Sequence, residues 1–324
     1  MVSHAVEIEN LTKDYEVGFW RKRQVRALEG LTLTVERGEI FGFLGANGAG
    51  KTTTLKLLMR LMYPSGGRAA ILGRDISDIS MHASIGYLPE HPYFYDYLTA
   101  REFLEYSAEL FGYGRSKRRA RAVNLLGRVG LDEKSWDKQL RKFSKGMLQR
   151  VGLAQALVND PEIVFLDEPM SGLDPVGRRE VRDLIASLRA NGTTVFLCSH
   201  ILADIEVLCD RAAVLRRGRL AHLGSLEDLR RLGGDRGMEI IVTGVDVSQL
   251  GEALRNTVEG ARVTATPNGV CIEVESEQHV DRALSIARTC GARLVSVHAV
   301  GNPLEELFIN DEGRRPETRS DVTG

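Results

Sequence analysis

The residues with the clearest chemical potential form a glycine-rich segment between a predicted strand and a predicted helix. The segment fits the pattern G-x-x-x-x-G-K-[ST], and the helical sequence Thr54–Met59 follows it. Glycines let successive backbone N–H groups point inward and hold phosphate oxygens, and the helix dipole adds to this. The Lys51 ammonium can reach terminal phosphates, and the Thr52 hydroxyl can ligate Mg²⁺. The pattern therefore predicts a nucleoside triphosphate site formed by Gly45, Ala46, Asn47, Gly48, Ala49, Gly50, Lys51, Thr52 and Thr53.

Two consecutive carboxylates follow a second apolar run, Ile163–Leu166, which is typical of a strand buried on both faces of a parallel sheet. Asp167 at the strand end suits Mg²⁺ ligation, directly or through water, and Glu168 suits the polarisation of an attacking water. A solvated Asp-Glu pair without a chemical role is the alternative. The upstream phosphate loop favours the functional interpretation, because a bound triphosphate needs both a cation and a positioned water.

A second segment that could bind an anion is Phe143–Arg150, which leads into a predicted helix. Ser144 is a candidate N-cap, and Gly146 leaves the first amides of the helix uncovered. An ordinary helix start would have the same sequence. Since the glycine-rich segment already provides one phosphate site, this segment predicts a second and separate one.

The composition excludes several classes of protein. The chain has 324 residues and a net charge of −1, so it has no general attraction for nucleic acid or anionic membrane. Its four cysteines are widely spaced and form no C-x-x-C pair, which argues against a zinc site or a disulfide framework. Neither a signal peptide nor an apolar window of about 18 residues is present. We therefore expect a cytoplasmic protein without a nucleic-acid partner.

The order of predicted elements indicates two domains. Alternating strands and helices over residues 1–232 predict an α/β core with a helical insertion at about 90–158. Residues 233–310 follow the order β-α-β-β-α-β, which predicts a small ferredoxin-like α+β domain of accessory or regulatory role. The polar segment 311–324 is predicted to be a disordered tail.

The motifs and their order resemble those of the ATP-binding-cassette (ABC) ATPase family over about residues 5–225. The matching segments are Walker A (Gly45–Thr52), the end of Walker B (Asp167-Glu168), the signature (Phe143–Met147), the D-loop (Ser171–Asp174), the Q-loop position (Tyr87–Glu90) and the switch histidine (His200). The resemblance implies a P-loop NTPase core with an antiparallel β subdomain and a helical insertion. It also implies ATP hydrolysis with ATP and Mg²⁺ bound.

The resemblance implies roles for individual residues. Tyr15 occupies the position whose ring stacks on adenine, and His200 that of the residue that holds the γ-phosphate. The implied catalytic residues are Lys51, Glu168 and His200. The resemblance adds Tyr15, Ser144 and Gly146 to the predicted nucleotide-binding residues. The implied magnesium ligands are Thr52, Glu90 and Asp167.

Three positions depart from the commonest family pattern. Glu90 replaces a glutamine; its carboxylate can ligate Mg²⁺, but its extra charge leaves open how it senses the γ-phosphate. Lys145 and Met147 replace a glycine and a glutamine of the signature, whereas Ser144 and Gly146 are retained. Lys145 could add positive charge near a phosphate or project into solvent. These variants resemble those of cassettes that serve ABC-2-type exporters.

The resemblance implies two partners, a membrane permease and a second cassette, which is expected to be an identical chain. In the family two cassettes close head to tail, so each ATP would lie between the Lys51 loop of one chain and the Ser144 helix start of the other. The chain would be the nucleotide-binding subunit of a transporter, held by the permease at the inner face of the cell membrane, with export favoured. An importer cassette and a soluble non-transport ABC ATPase are the alternatives.

An aromatic stretch follows Glu90 and has two interpretations. Tyr93, Phe94, Tyr95 and Tyr97 could form a groove for a cytoplasmic helix of the permease. They could equally pack the core of the helical insertion, and the sequence leaves both interpretations open.

Overall fold

A computed structural model gives the fold and describes residues 4–18, 22–231, 237–255, 257–267 and 269–299. The chain divides into two compact units between Leu226 and Glu227. The predicted boundary at 232/233 and the predicted disordered tail, 311–324, lie outside the described residues. In the described part, no helix is long and apolar enough to cross a lipid bilayer.

The strands of the first unit form two sheets. In chain order they are β1 (His4–Val17), β2 (Arg23–Glu36), β3 (Ile40–Leu44), β4 (Gly66–Ile71), β5 (Arg74–Asp75), β6 (Ile85–Leu88), β7 (Ile163–Asp167), β8 (Thr194–Ser199), β9 (Arg211–Arg216) and β10 (Arg219–Ser225). The order β2-β1-β4-β5 is antiparallel throughout. The order β10-β9-β3-β8-β7-β6 is parallel except for the β10–β9 pair.

Helices of the first unit surround the sheets and include the predicted helical insertion. They are α1 (Lys51–Leu58), α2 (Ala100–Leu110), α3 (Arg115–Arg128), α4 (Lys145–Ala156), α5 (Pro175–Ala190) and α6 (Leu202–Leu208), with 3₁₀ turns at Ile79–Ser84, Glu133–Ser135 and Leu140–Lys142. Helix α7 (Leu226–Arg231) begins at the last residue of the first unit. Local capping explains where several begin. Thr99 and Glu102 form a capping box at α2, and Asp174 caps α5 by accepting a hydrogen bond from the Gly177 N–H at 2.9 Å.

One hydrophobic core joins both sheets and α1. At its centre the ring of Phe196 lies 5.3 to 5.5 Å from the rings of Phe41, Phe43 and Phe165. Strands β3, β7 and β8 are buried along their whole length, as the predicted parallel sheet requires. Because parallel strands end at the same edge of a sheet, the segments that follow these three strands meet there.

The second unit has the predicted order β-α-β-β-α-β. Its elements are β11 (Met238–Thr243), α8 (Val247–Arg255), β12 (Arg262–Thr266), β13 (Gly269–Val274), α9 (Val280–Thr289) and β14 (Arg293–Ala299), with a 3₁₀ turn at Glu277–His279. The sheet order β12-β13-β11-β14 is antiparallel throughout. Alternate residues such as Ile240 and Ile272 pack against Leu250 and Ala283 of the helices.

Candidate functional site

The glycine-rich segment leaves the sheet between β3 and α1, and β3 lies between β8 and β9. Gly50 precedes α1 with a φ of 111°, a left-handed conformation that glycine adopts without strain. A Cβ atom at Gly50 would lie 2.8 Å from the carbonyl oxygen of Ala27. The Ala49 N–H donates to the Ala46 carbonyl at 3.0 Å and closes the turn. The loop is thus folded tightly at the positive end of the α1 dipole.

A cavity of about 280 Å³ at this end of α1 brings most of the predicted site residues together. Its lining consists of Ala27, Ala46, Asn47, Gly48, Gly50, Lys51, Thr52, Thr53, Glu90, Asp167 and Glu168. Gly45 and Ala49 support the loop from behind: Gly45 packs against Leu215, and Ala49 is buried. Besides Gly45 and Ala49, the predicted residues outside the lining are Tyr15, Ser144, Gly146 and His200.

Lys51 places a buried cation in this cavity. Its side chain is 7% exposed, and Nζ donates a hydrogen bond to the Gly45 carbonyl oxygen at 2.6 Å. Nζ also lies 3.8 Å from Oε1 of Glu168, which is buried as well. A buried ammonium is costly unless it is paired, so these two groups hold the charge in place. The arrangement presents a cation to the phosphates of an incoming nucleotide.

Asp167 and Thr52 form the second polar pair of the cavity. The Thr52 hydroxyl donates to Oδ2 of Asp167 at 3.1 Å. Burial raises the pKa of Asp167 from 3.8 to about 6, although the Thr52 hydrogen bond lowers it. The negative charges of Glu90 and Glu168 raise the pKa of Asp167 further. A hydroxyl with carboxylates is a donor set that suits Mg²⁺, and a cation here would stabilise the ionised carboxylate.

Glu168 is held in an unusual backbone conformation directly after β7. Its φ is 52°, a left-handed value that strains a residue other than glycine and that clusters at functional sites. Its N–H donates to the Cys198 carbonyl at 3.0 Å. Its Oε1 lies 2.8 Å from Nδ1 of His200, and Oε2 accepts a 3.5 Å bond from the Ser199 hydroxyl. The ends of β7 and β8 therefore hold a carboxylate and an imidazole together at the cavity edge.

Tyr15 lies on β1, beside the phosphate loop rather than in the cavity lining. Its half-buried side chain places the hydroxyl oxygen 3.3 Å from Oγ1 of Thr53 and 3.4 Å from Sδ of Met62. The ammonium of Lys13 lies 5.5 Å from the centre of its ring. The contact with an adenine ring stays a prediction.

The signature segment lies apart from the cavity of its own chain. Ser144 caps α4 by accepting a hydrogen bond from the Met147 N–H at 3.3 Å. Ser144 is exposed and Gly146 half-buried, and neither is among the residues that line the cavity in the described part of the chain. Lys145 is also exposed, and its side chain runs across Gly172, where a Cβ would lie 2.7 Å from Lys145 Cδ. Lys145 therefore covers the D-loop backbone.

Two residues that the sequence motifs did not single out belong to this region. Ala27 reaches the cavity from β2, and nothing in its residue type signals this. Gln149 of α4 is 4% exposed, and its side-chain amide donates to the carbonyl oxygens of Glu168 and Pro169. The sequence signal for Gln149 was its position two residues before the apolar run that begins at Val151. An amide buried beside such a run must find hydrogen-bond partners.

A larger cavity, about 460 Å³, lies at the opposite ends of the central strands, where Glu162 and Thr193 precede β7 and β8. Its Glu162 carboxylate is paired with Arg37 at 2.9 Å, and its Asp160 carboxylate is paired with Arg121. Ligands of parallel α/β sheets bind at the carboxyl ends of the strands. The smaller cavity is therefore the candidate site.

Comparisons with known proteins bear on both fold and site. A family model described as ABC transporter matches residues 28–171. The chain is 45% identical over 319 residues to an uncharacterized ABC transporter ATP-binding protein of Synechocystis sp., covering 98% of this chain and 87% of that protein. It is 32% identical over 315 residues to the linearmycin resistance ATP-binding protein LnrL of Bacillus subtilis, covering 95% and 98%. It is 42% identical over 206 residues to a fluoroquinolones export ATP-binding protein of Mycobacterium tuberculosis, covering 63% and 67%.

A solved structure similar to this chain is the ATP-binding cassette MJ0796 in a dimeric, post-hydrolysis state bound to ADP and Pi. The TM-score is 0.64 at 27% identity, and the match covers 68% of this chain and 98% of that chain. The expected P-loop NTPase fold is confirmed.

Proposed function

Since the chain belongs to the ABC transporter family of ATP-binding proteins, we propose that it is the nucleotide-binding subunit of an exporter. In this proposal ATP-dependent dimerisation drives a separate membrane permease, which holds the chain at the inner face of the membrane. ATP binding and hydrolysis are properties of the family. The observation that carries the proposal is that the predicted site residues lie at two separate places on the chain. Lys51, Thr52 and Glu168 line the cavity, whereas Ser144 lies exposed outside it.

The geometry of the cavity supports the roles that we propose for its residues. Lys51 and the loop amides would bind the β- and γ-phosphates, and Thr52, Glu90 and Asp167 would hold Mg²⁺. The Mg²⁺ ion would neutralise the charge that develops on the phosphates. Glu168 orients the attacking water.

His200, whose Nδ1 lies 2.8 Å from Glu168, fixes the Glu168 carboxylate and contacts the γ-phosphate. Its ring is 45% exposed, so it can reach a group that binds at the cavity edge. Tyr15 stacks on adenine beside Thr53.

The exposed signature segment supplies the other half of each site in a head-to-tail dimer of identical chains. Ser144 and the free amides at the start of α4 form an anion-binding surface on a helix dipole. A triphosphate in the cavity of the facing chain keeps negative charge, so it binds this surface and joins the two chains. Hydrolysis of ATP distributes that negative charge over two products, ADP and phosphate, which can separate from each other. ATP therefore favours the closed dimer, and its hydrolysis favours the open state.

The aromatic stretch after β6 contains residues that fit each of the two interpretations, one half-buried and three on the surface. Phe94 turns inward, and its ring lies 5.2 Å from that of Phe103. Tyr93 and Tyr97 are 84% and 61% exposed, and Tyr95 lies 6.1 Å from each of them. The three tyrosines form an exposed aromatic surface, which we assign to a cytoplasmic helix of the permease.

Export is supported by the relatives with printed functions. One is named for linearmycin resistance and another for fluoroquinolone export. The first of these matches the chain over 95% of its length, including the second unit. A transport assay with the permease, in which substrate accumulated inside cells instead of leaving them, would favour the importer.

The first experiment is Glu168→Gln, a change that keeps the shape of the side chain. We expect ATP turnover to fall by roughly 100-fold or more, because the water loses its polarising carboxylate. ATP binding is retained and a dimer accumulates, as measured by phosphate release and light scattering. Glu105→Gln, at a half-buried position on α2 outside the cavity lining, serves as the control. Turnover close to wild type removes Glu168 from this role, and a chain that stays monomeric with ATP contradicts the dimer.

A further inference from the structure

The signature helix α4 contacts the Walker B loop of its own chain through Gln149. This side chain is 4% exposed, and its Nε2 donates to the carbonyl oxygen of Pro169 at 3.1 Å and to that of Glu168 at 3.4 Å. Both acceptors are carbonyl oxygens, so the amide must present its nitrogen to them. Gln149 thus satisfies two backbone groups in a buried loop.

The loop that Gln149 holds is the one with the strained backbone. Glu168 has a φ of 52°, and its N–H is bound by the Cys198 carbonyl of β8. Its carbonyl oxygen is bound by Gln149 from the side of α4. The peptide groups on both sides of the Glu168 Cα are therefore fixed. The direction in which the Glu168 carboxylate leaves the backbone, toward His200, depends on both contacts.

Helix α4 is itself anchored to its surroundings. A Cβ at Gly152 would lie 2.7 Å from Leu88, so the helix touches the β6 strand closely. Arg150 donates to the carbonyl oxygens of Val129 and Gly130, both at 3.1 Å. The exposed cap Ser144 is fewer than two helical turns from Gln149. Ser144 and the side chain that binds the Glu168 carbonyl therefore lie on one short helical segment.

We propose that Gln149 is a positioning residue that ties the signature helix to Glu168 and keeps its carboxylate aimed at the attacking water. The inference rests on the proposed function, in which Glu168 orients that water and Ser144 binds the nucleotide of the facing chain. The helix that contacts one nucleotide thereby holds the glutamate that acts on the other.

The test is Gln149→Met, which keeps the length of the side chain and removes its donors. We expect kcat to fall by roughly 10- to 100-fold, because small misplacements of a reacting group are costly. The Kd for ATP stays within about twofold, since the phosphate loop is untouched. The double variant Gln149→Met/Glu168→Gln should have the same kcat as Glu168→Gln alone, because the two residues act through the same carboxylate. Gln155→Met, at a half-buried position on α4, is the matched control and keeps wild-type kcat.

Each outcome decides a different point. The positioning role is overturned if Gln149→Met keeps the kcat of wild type. It is also overturned if the fold-losses of kcat in the two single variants multiply in the double variant. If Glu168→Gln alone leaves turnover intact, the proposed function fails first. Gln149→Leu, which is close to glutamine in size, carries no charge and has no hydrogen-bond donor, replaces Gln149→Met if that variant does not fold. It must show the same loss of kcat with the same Kd.

Discussion

At the residue scale, the cavity concentrates ionisable groups that are otherwise rare in the interior of the unit. Lys51, Asp167 and Glu168 are 7%, 1% and 5% exposed. Buried charges cost free energy of folding unless they are paired, and groups arranged this way are typical of functional sites. Part of that cost should be recovered when phosphates and a cation bind.

The raised pKa of Asp167 predicts a pH-dependent cost to stability. Its folded-state pKa of about 6 lies above the usual 3.8. The cost is therefore absent below about pH 4, grows as the pH rises, and is complete above about pH 6. Its size is on the order of 3 kcal/mol. Without nucleotide or divalent cation, Asp167→Asn should unfold at a higher temperature than wild type at pH 7.5, and the difference should vanish toward pH 4.

The substitution is well matched, because the asparagine oxygen can still accept the hydrogen bond from Thr52. Asp183→Asn, at an exposed position on α5, is the control and should follow wild type at every pH. Thermal unfolding across this pH range measures both. A constant difference between Asp167→Asn and wild type would show that ionisation of Asp167 is not the cause.

The residues of the phosphate loop could be predicted because their chemistry is local: eight consecutive positions determine both turn and ligand. Asp167 and Glu168 could be predicted because they follow a buried strand. The φ of Glu168 and its contact with Gln149 could not, since they depend on how α4 packs against a loop distant in sequence. Ala27 gave no signal for the same reason.

At the element scale, predicted strands and helices match the structure where apolar periodicity and caps agree. Strand β1 runs over 14 residues, His4–Val17, because it is paired along its length with β2. The two-residue strand β5 was not predicted, since it depends on pairing with β4. Pairing between strands thus determines where a strand ends and whether a short strand forms, and residue propensity alone does not.

The exposed tyrosines before α2 lead to a prediction about partner binding. The double variant Tyr93→Ala/Tyr97→Ala should fold normally and keep its own ATP turnover, because both side chains are mostly exposed. It should lose association with the permease, measured by cross-linking in membranes and mass spectrometry of the captured subunit. Tyr63→Ala, at a tyrosine that is 68% exposed on another segment, is the control. Equal recovery of the permease by all three proteins rules out this surface.

At the scale of the whole molecule, the order of strands and helices could be predicted but the completed site could not. Alternation of elements indicated an α/β unit followed by a β-α-β-β-α-β unit, because each element carries its own pattern. In the proposed dimer, the position of Ser144 relative to a nucleotide depends on a second chain. The resemblance to ABC ATPases supplied that expectation. The exposed helix start, outside the cavity of its own chain, is what a shared site requires.

A shared site predicts that two inactive variants restore each other. Glu168→Gln damages the cavity of its own chain, and Ser144→Glu places a negative charge on the surface offered to the facing chain. In a head-to-tail dimer of one variant with the other, one site carries both changes and the other site carries none. An equal mixture, combined before ATP is added, should therefore recover up to about a quarter of wild-type ATP turnover, since random pairing makes half of the dimers mixed and each of these has one intact site. The variants assayed separately give the baseline, and a mixture no more active than that baseline would mean that each chain hydrolyses ATP with its own residues alone.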